Sequence, residues 1–152
     1  NRVRRQRQMC IRDRDYIPSD AIHYDYYTTI AGIIEKEDST NEEFIVPEKL
    51  IDLYNDRNFG RYADSDGNLR VNFIDNNDIT GGNSGSPVLN AHGELVGTAF
   101  DGNWEAMSGD IVYEQGLQRC ISVDIRYILF IIDKYAEAGY LIDEMTIAES
   151  RK

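Results

Sequence analysis

VNFIDNNDITGGNSGSPVLNAHGELVGTAF, residues 71–100, is the stretch on which the fold turns. "VNFID" alternates as a half-buried strand does. "SPVLN" and "GELVGTAF" are two further strand-like runs, and Asn90-Ala91-His92-Gly93 between them has the composition of a hairpin turn. "ITGGNSGSPV", Ile79 to Val88, interrupts this β pattern with three glycines, two serines and a proline. Downstream, "CISVDI" reads as one more strand, with Cys120 expected to be a buried small hydrophobe. "DIRYILFIIDKYAEAG" then gives the clearest helical pattern in the chain. Ile125, Ile128, Leu129, Ile132 and Tyr135 keep helical spacing, Asp124 can cap the start, and Gly139 stands where a C′ residue belongs. The order predicts antiparallel β structure with a terminal helix packed on it, not alternating βαβ units.

Upstream, "AIHYDYYTTIAGII", Ala21 to Ile34, is aromatic and β-branched and predicts a strand. "EKEDSTNEE" predicts a solvated acidic loop, and Pro47 opens a short helix in "PEKLIDLYNDRN". In "FGRYADSDGNLR", Asp64-Ser65-Asp66-Gly67 has part of the look of a calcium loop. Its glycine comes two positions too early and no ligating Glu follows at the required spacing, so a plain turn is expected.

The 152-residue chain carries a formal charge of −11, which argues against a nucleic-acid partner, because phosphate binding needs clustered Lys and Arg. Residues 1–14, "NRVRRQRQMCIRDR", hold six arginines and one aspartate, which leaves 10 basic and 26 acidic side chains in residues 15–152, a balance of −16. No apolar run of signal-peptide length follows this head. "MCIRDR" resembles a translated sequencing-adapter read of the kind that recurs at the broken ends of assembled genes. The head is therefore set apart, and residues 15–152 are treated as the folded part. Cys10 goes with the head, and Cys120 alone offers no disulfide framework and no metal site. No cofactor is implied, and no apolar run is long enough for a membrane span.

A serine hydroxyl is a weak nucleophile until a base takes its proton and donors stabilise the oxyanion it creates. In "GGNSGSP" the glycine two residues before Ser84 lets the chain turn its N–H groups inward, so those of Gly82 and Ser84 can converge on one carbonyl oxygen. Gly85 leaves room beside the hydroxyl. Ser84 is the candidate nucleophile and Ser86 the less favoured one.

"TGGNSGSPV" resembles the nucleophile loop of chymotrypsin-like serine peptidases. With its flanks, "NNDITGGNSGSPVLNAHGELVGTAFDGNWEAMSGD" and "QRCISVDIRYILFIIDKYAEAGYLIDEM", the chain closely resembles the C-terminal part of the bacterial dipeptidyl-peptidases of serine peptidase family forty-six. "YYTTIAGIIEKED" and "FIVPEKL" also fit, and the resemblance covers Asp15 to Met145. It implies exopeptidases that release dipeptides from a free N-terminus, a double β-barrel of which this is the incomplete C-terminal barrel, and an inserted helical domain. Oligopeptide substrates, a homodimer, and a periplasmic or cell-surface location with a signal peptide upstream of this piece are implied with it.

By the same resemblance Ser84 is the nucleophile, the N–H groups of Gly82 and Ser84 form the oxyanion hole, and the triad His and Asp lie upstream of this piece. Of the two histidines present, His92 sits in a hairpin turn and His23 in a tyrosine-rich segment; neither is expected to be the base. The resemblance places Asp101 among the groups that anchor the substrate's α-ammonium, and Gly102 where members divide by specificity. Members with Arg there prefer Asp or Glu before the scissile bond (P1), whereas glycine leaves an uncharged S1 pocket for apolar or aromatic side chains, the dipeptidyl-peptidase seven type. Asn83 carries no charge for the ion pair that activates trypsin-like zymogens. Trp104 could line the cleft or fill a loop core. The rival readings are a glutamyl-endopeptidase-like or HtrA-like endopeptidase, and a protease-like binding module without a working triad.

Overall fold

The computed structural model describes residues 25–108 and 116–148. Within it the described residues divide into two compact units, 25–28 with 72–108 and 116–125, and 29–71 with 126–148. Residues 1–14, Cys10 and His23 lie outside the described residues.

The first unit is built on a five-stranded sheet. Its strands are β1 (Tyr27–Thr29), β2 (Arg70–Asp75), β3 (Pro87–Leu89), β4 (Leu95–Gly102) and β5 (Cys120–Asp124), in the order β1-β2-β5-β4-β3. The pairs β2–β5, β5–β4 and β4–β3 are antiparallel. Alternation along β2 is strict: Val71, Phe73 and Asp75 are buried and the residues between them are half-buried. Phe73, Val88, Val96, Ala99 and Cys120 form the core, with Tyr27 and Ile79 packed against it. The hairpin forms where the sequence places it, since Asn90 Oδ1 accepts the N–H groups of His92 and Glu94 while Gly93 takes a φ of +79°. The outcome is a mostly antiparallel sheet with a few helices, a coarser architecture than the expected double barrel.

The inner face also carries charge. Asp75 is 1% exposed and accepts from Ser122 Oγ at 2.9 Å and from the Asn77 N–H at 2.9 Å. Burial is the largest influence on its carboxyl and pushes it above the usual range, against the lowering effect of those hydrogen bonds. Beside this network β4 comes very close to its neighbours. A Cβ on Gly97 would lie 2.6 Å from the Val123 carbonyl oxygen and 2.7 Å from the Phe73 ring. Gly97→Ala is accordingly expected to destabilise the protein by about 1–3 kcal/mol, read as a lower urea midpoint at unchanged m-value.

The second unit holds α1 (Ile30–Glu35), α2 (Glu48–Asn55), α3 (Ile125–Phe130, whose first residue belongs to the sheet unit) and α4 (Gly139–Asp143). The expected strand over Ala21 to Ile34 is corrected in its described part, residues 25–34: there the strand is Tyr27–Thr29, and the chain turns helical at Ile30. Ile30, Ile33 and Ile34 stand at helical spacing, and the 2%-exposed Ile30 is the buried member. β-branched composition pointed to strand; periodicity decided for helix. Pro47 precedes the first residue of α2, as expected. The Asp64 turn is a plain turn. Its carboxylate accepts the N–H groups of Asp66 and Asn68 and the Arg70 Nε–H at 2.9 Å, and Gly67 supplies the positive φ of +77°.

The terminal helix also departs from its pattern. After α3 the ladder widens into a π-helical turn, Ile131–Tyr135, closed by the Ala136 N–H on the Ile131 carbonyl at 2.8 Å. Glu137, with φ +56°, then takes the left-handed place expected of Gly139, and the Ala138 N–H reaches back to the Ile132 carbonyl. Gly139 instead begins α4. Before this turn the buried side chains are Leu129, which the spacing singled out, and the fully buried Phe130, which it did not. Phe130 meets Phe59 edge-on at 6.1 Å, and the Asp133 carboxylate accepts from the Tyr62 hydroxyl. Burial first, then Asp133, pushes the Tyr62 phenol up to about 12. These partners of the terminal helix lie in residues 29–71.

Candidate active site

The glycine segment is a double turn hung on the edge of β4. Gly82 and Gly85 have φ values of +93° and +88°, a region that L side chains adopt only with strain. Thr80 fixes the first turn, since its carbonyl accepts from the Asn83 N–H at 3.1 Å and from Asn83 Nδ2 at 2.9 Å. The second turn is pinned to β4: the Gly85 N–H donates to the Ala99 carbonyl at 2.7 Å and the Ala99 N–H to the Ser86 carbonyl at 2.9 Å. The Ser86 N–H closes on the Asn83 carbonyl.

This leaves main-chain donors over. The N–H groups of Gly82 and Ser84, like that of Gly81 before them, have no acceptor among the described residues, while those of Asn83, Gly85 and Ser86 are engaged. Gly82 and Ser84 are both exposed. Asn83 therefore has a structural task, bonding the start of its own turn. The Ser84 hydroxyl is exposed and donates to the Phe100 carbonyl at 3.2 Å.

Phe100 can accept because β4 bulges at it. Against β5, Ala99 pairs with Ser122 and Asp101 with Ile121, so Phe100 is the extra residue. The residue types carried one weak sign of this, a glycine near a strand end. The consequence is that Ser84, Asp101 and Gly102 are brought to one place. Asp101 is exposed, and its Oδ1 accepts the Gly102 N–H at 2.8 Å. Gly102 is enclosed: a Cβ there would stand 2.9 Å from the Ala106 Cβ, 3.7 Å from the Arg119 carbonyl oxygen and 3.9 Å from Ile79 Cδ1.

The turn after β4 is held by Asn103, which the sequence reading passed over. Its N–H donates to the Arg119 carbonyl at 3.0 Å, its Oδ1 accepts the Arg119 N–H at 2.8 Å, and its Nδ2 donates to the Leu117 carbonyl at 2.8 Å. Trp104 follows. It is 82% exposed, which overturns the loop-core alternative; it lines a cleft of about 620 Å³ with Tyr26, Asn72, Ile74, Phe100 and Ile121. His92 is exposed in the hairpin turn, beyond β3 from Ser84, so the described residues bring no histidine to the serine.

Compared with known proteins, residues 12–147 match the family described as Peptidase S46. The chain belongs to that family. It is 61% identical over 136 residues to dipeptidyl-peptidase 7 of Phocaeicola vulgatus, covering 90% of this chain and 19% of the relative. It is 53% identical over 132 residues to an Asp/Glu-specific dipeptidyl-peptidase of Porphyromonas endodontalis, covering 87% and 18%. The crystal structure of Porphyromonas endodontalis DPP11 in complex with the dipeptide Arg-Asp is similar with a TM-score of 0.83 at 53% identity, over 86% of this chain and 19% of that one. The chain thus spans about a fifth of the length of these relatives. S46 relatives with both names are similar to it at this level, so membership by itself does not choose between acidic and apolar P1 residues. No helix among the described residues is long and apolar enough to cross a membrane.

Proposed function

We propose that the full-length S46 protein containing this chain is a serine-type dipeptidyl-peptidase, with Ser84 as nucleophile. The observation that carries the reading is the pair of unengaged N–H groups of Gly82 and Ser84, flanking an exposed serine hydroxyl. In this reading the hydroxyl leaves the Phe100 carbonyl and gives its proton to a histidine from elsewhere in the polypeptide, itself oriented by an aspartate. Oγ attacks the scissile carbonyl and the two N–H groups receive the oxyanion. The intermediate collapses as the C–N bond breaks and the histidine gives its proton to the departing amine. Water activated by the same histidine then hydrolyses the dipeptidyl acyl-enzyme, releasing the dipeptide and restoring Oγ–H.

Asp101, next to the Phe100 bulge, receives the substrate's α-ammonium, which restricts cleavage to the second peptide bond. Gly102 forms the S1 wall. Two features support an apolar or aromatic P1 residue: no cation stands at position 102, and Ala106 leaves no space for a side chain there. The names of some relatives favour the acidic alternative, and one assay separates the two. The full-length protein is expected to release dipeptides from fluorogenic dipeptidyl amides with Leu or Phe at P1, and to leave Asp and Glu substrates nearly untouched. Preferential cleavage after Asp or Glu would reverse the specificity assignment, and cleavage of internal bonds in N-acetylated peptides would point to the endopeptidase rival.

A further inference from the structure

We infer that Ala106 is a second specificity-determining residue of the S1 pocket, coupled to Gly102 so that bulk is admitted at only one of the two positions. The inference rests on the proposed peptidase reading and goes beyond it by naming a residue whose size sets the pocket. A side chain at position 102 would leave the backbone 2.9 Å from the Ala106 Cβ. Real Cβ atoms do not approach so closely, and a methyl group fixed to the main chain cannot swing away as the tip of a lysine would.

Nor is the turn free to withdraw. The Ala106 N–H donates to the Asn103 carbonyl at 2.9 Å. Asn103 is tied to Leu117 and Arg119 through its N–H, its Oδ1 and its Nδ2, and Nδ2 also bonds Glu105 Oε2 at 2.8 Å. Moving Ala106 outward means loosening this clamp. With glycine at 102, the Ala106 methyl stands over the position a Cβ would take and Ile79 Cδ1 lies 3.9 Å from it, so in this reading both residues form part of the wall that the substrate's P1 side chain meets. The pocket is therefore matched to glycine at 102 by a second residue, and changing position 102 alone leaves the match broken.

The test is a double-mutant cycle in the full-length protein. Wild type, Gly102→Arg, Ala106→Gly, the double variant and, separately, Ala106→Val are assayed for kcat/KM on dipeptidyl amides with Ala, Leu, Phe, Asp and Glu at P1. Gly102→Arg alone is expected to lose Leu and Phe cleavage with little gain on Asp and Glu, and the double variant to exceed it on Asp and Glu by roughly tenfold or more. Ala106→Val, in a pocket still lined by Gly102, is expected to lower Phe relative to Ala at P1 by roughly tenfold, within the range one or two methyl groups command in a hydrophobic pocket. Fluorophosphonate labelling of each variant reports whether the nucleophile is intact independently of P1. If Gly102→Arg handles acidic substrates as well as the double variant does, or if Ala106→Val keeps the wild-type P1 profile, the coupling is refuted. A wild-type protein that releases no dipeptides would overturn the peptidase reading, and this inference with it.

Discussion

Ser84→Ala in the full-length protein is expected to lower kcat by about 10⁴-fold or more, with KM little changed, leaving only what oxyanion stabilisation and binding provide. The size follows from what the hydroxyl alone supplies. Covalent attack replaces one difficult displacement by two easier ones, and alanine has no atom to make the bond. Folding should not be affected, because the hydroxyl's described contact is a single 3.2 Å hydrogen bond to the Phe100 carbonyl on an exposed loop. The turn is held by the main chain of Gly85, Ser86 and Ala99 and by the Asn83 side chain, all kept in the variant. Ser86 is the internal control. Its N–H and carbonyl are spent on Asn83 and Ala99, and it is half-buried. Ser86→Ala should retain both turnover and fluorophosphonate labelling, while Ser84→Ala loses both. A labelled peptide that maps to Ser86 would reassign the nucleophile.

Much of the sheet was legible because one of its faces is buried, and burial of one face forces alternation into the sequence. Val71, Phe73 and Asp75 point inward for that reason, even though one of them is a carboxylate. The loop was legible because its geometry demands particular residue types: Gly82, Gly85 and Gly93 all sit at positive φ. Where the sequence misled, a local preference was overruled by a longer-range one. Ile30, Ile33 and Ile34 favour strand as residue types, and their spacing favours helix. Glu137 occupies a left-handed position with no glycine to announce it, and its exposed carboxylate pairs with Lys49 at 2.5 Å. The π-helical turn Ile131–Tyr135 leaves no mark in composition, so the break in the helical ladder there was not foreseeable from periodicity. Within the site, side-chain chemistry pointed to Ser84, Asp101 and Gly102. The Phe100 bulge, a backbone irregularity, and the Asn103 clamp, made by one side chain on distant main chain, are arrangements that no motif encodes.

Asp101→Asn separates an exopeptidase from its endopeptidase rivals. Its carboxylate is offered one residue beyond the Phe100 carbonyl that holds the Ser84 hydroxyl, so the main chain of β4 fixes the span between anion and nucleophile. Two extended residues reach at most about 7 Å, the order of span a dipeptide needs between its ammonium and its scissile carbonyl. Asn keeps an oxygen to accept the Gly102 N–H, as Asp101 Oδ1 does at 2.8 Å, so the bulge geometry should survive. What disappears is the charge that pairs with the ammonium. Loss of a charge-assisted hydrogen bond costs about 1.5–3 kcal/mol, or roughly 10- to 150-fold in kcat/KM. The effect should fall mainly on KM, because the ammonium is bound alike in the ground state and the transition state. N-acetylated substrates provide the decisive comparison, since they lack the partner of the lost charge. Against wild type they should be poor, and against Asp101→Asn the gap between free and blocked substrates should narrow by the same factor. A variant that still discriminates between them as the wild type does would remove Asp101 from the ammonium site and leave it a strand-end carboxylate serving the Gly102 N–H.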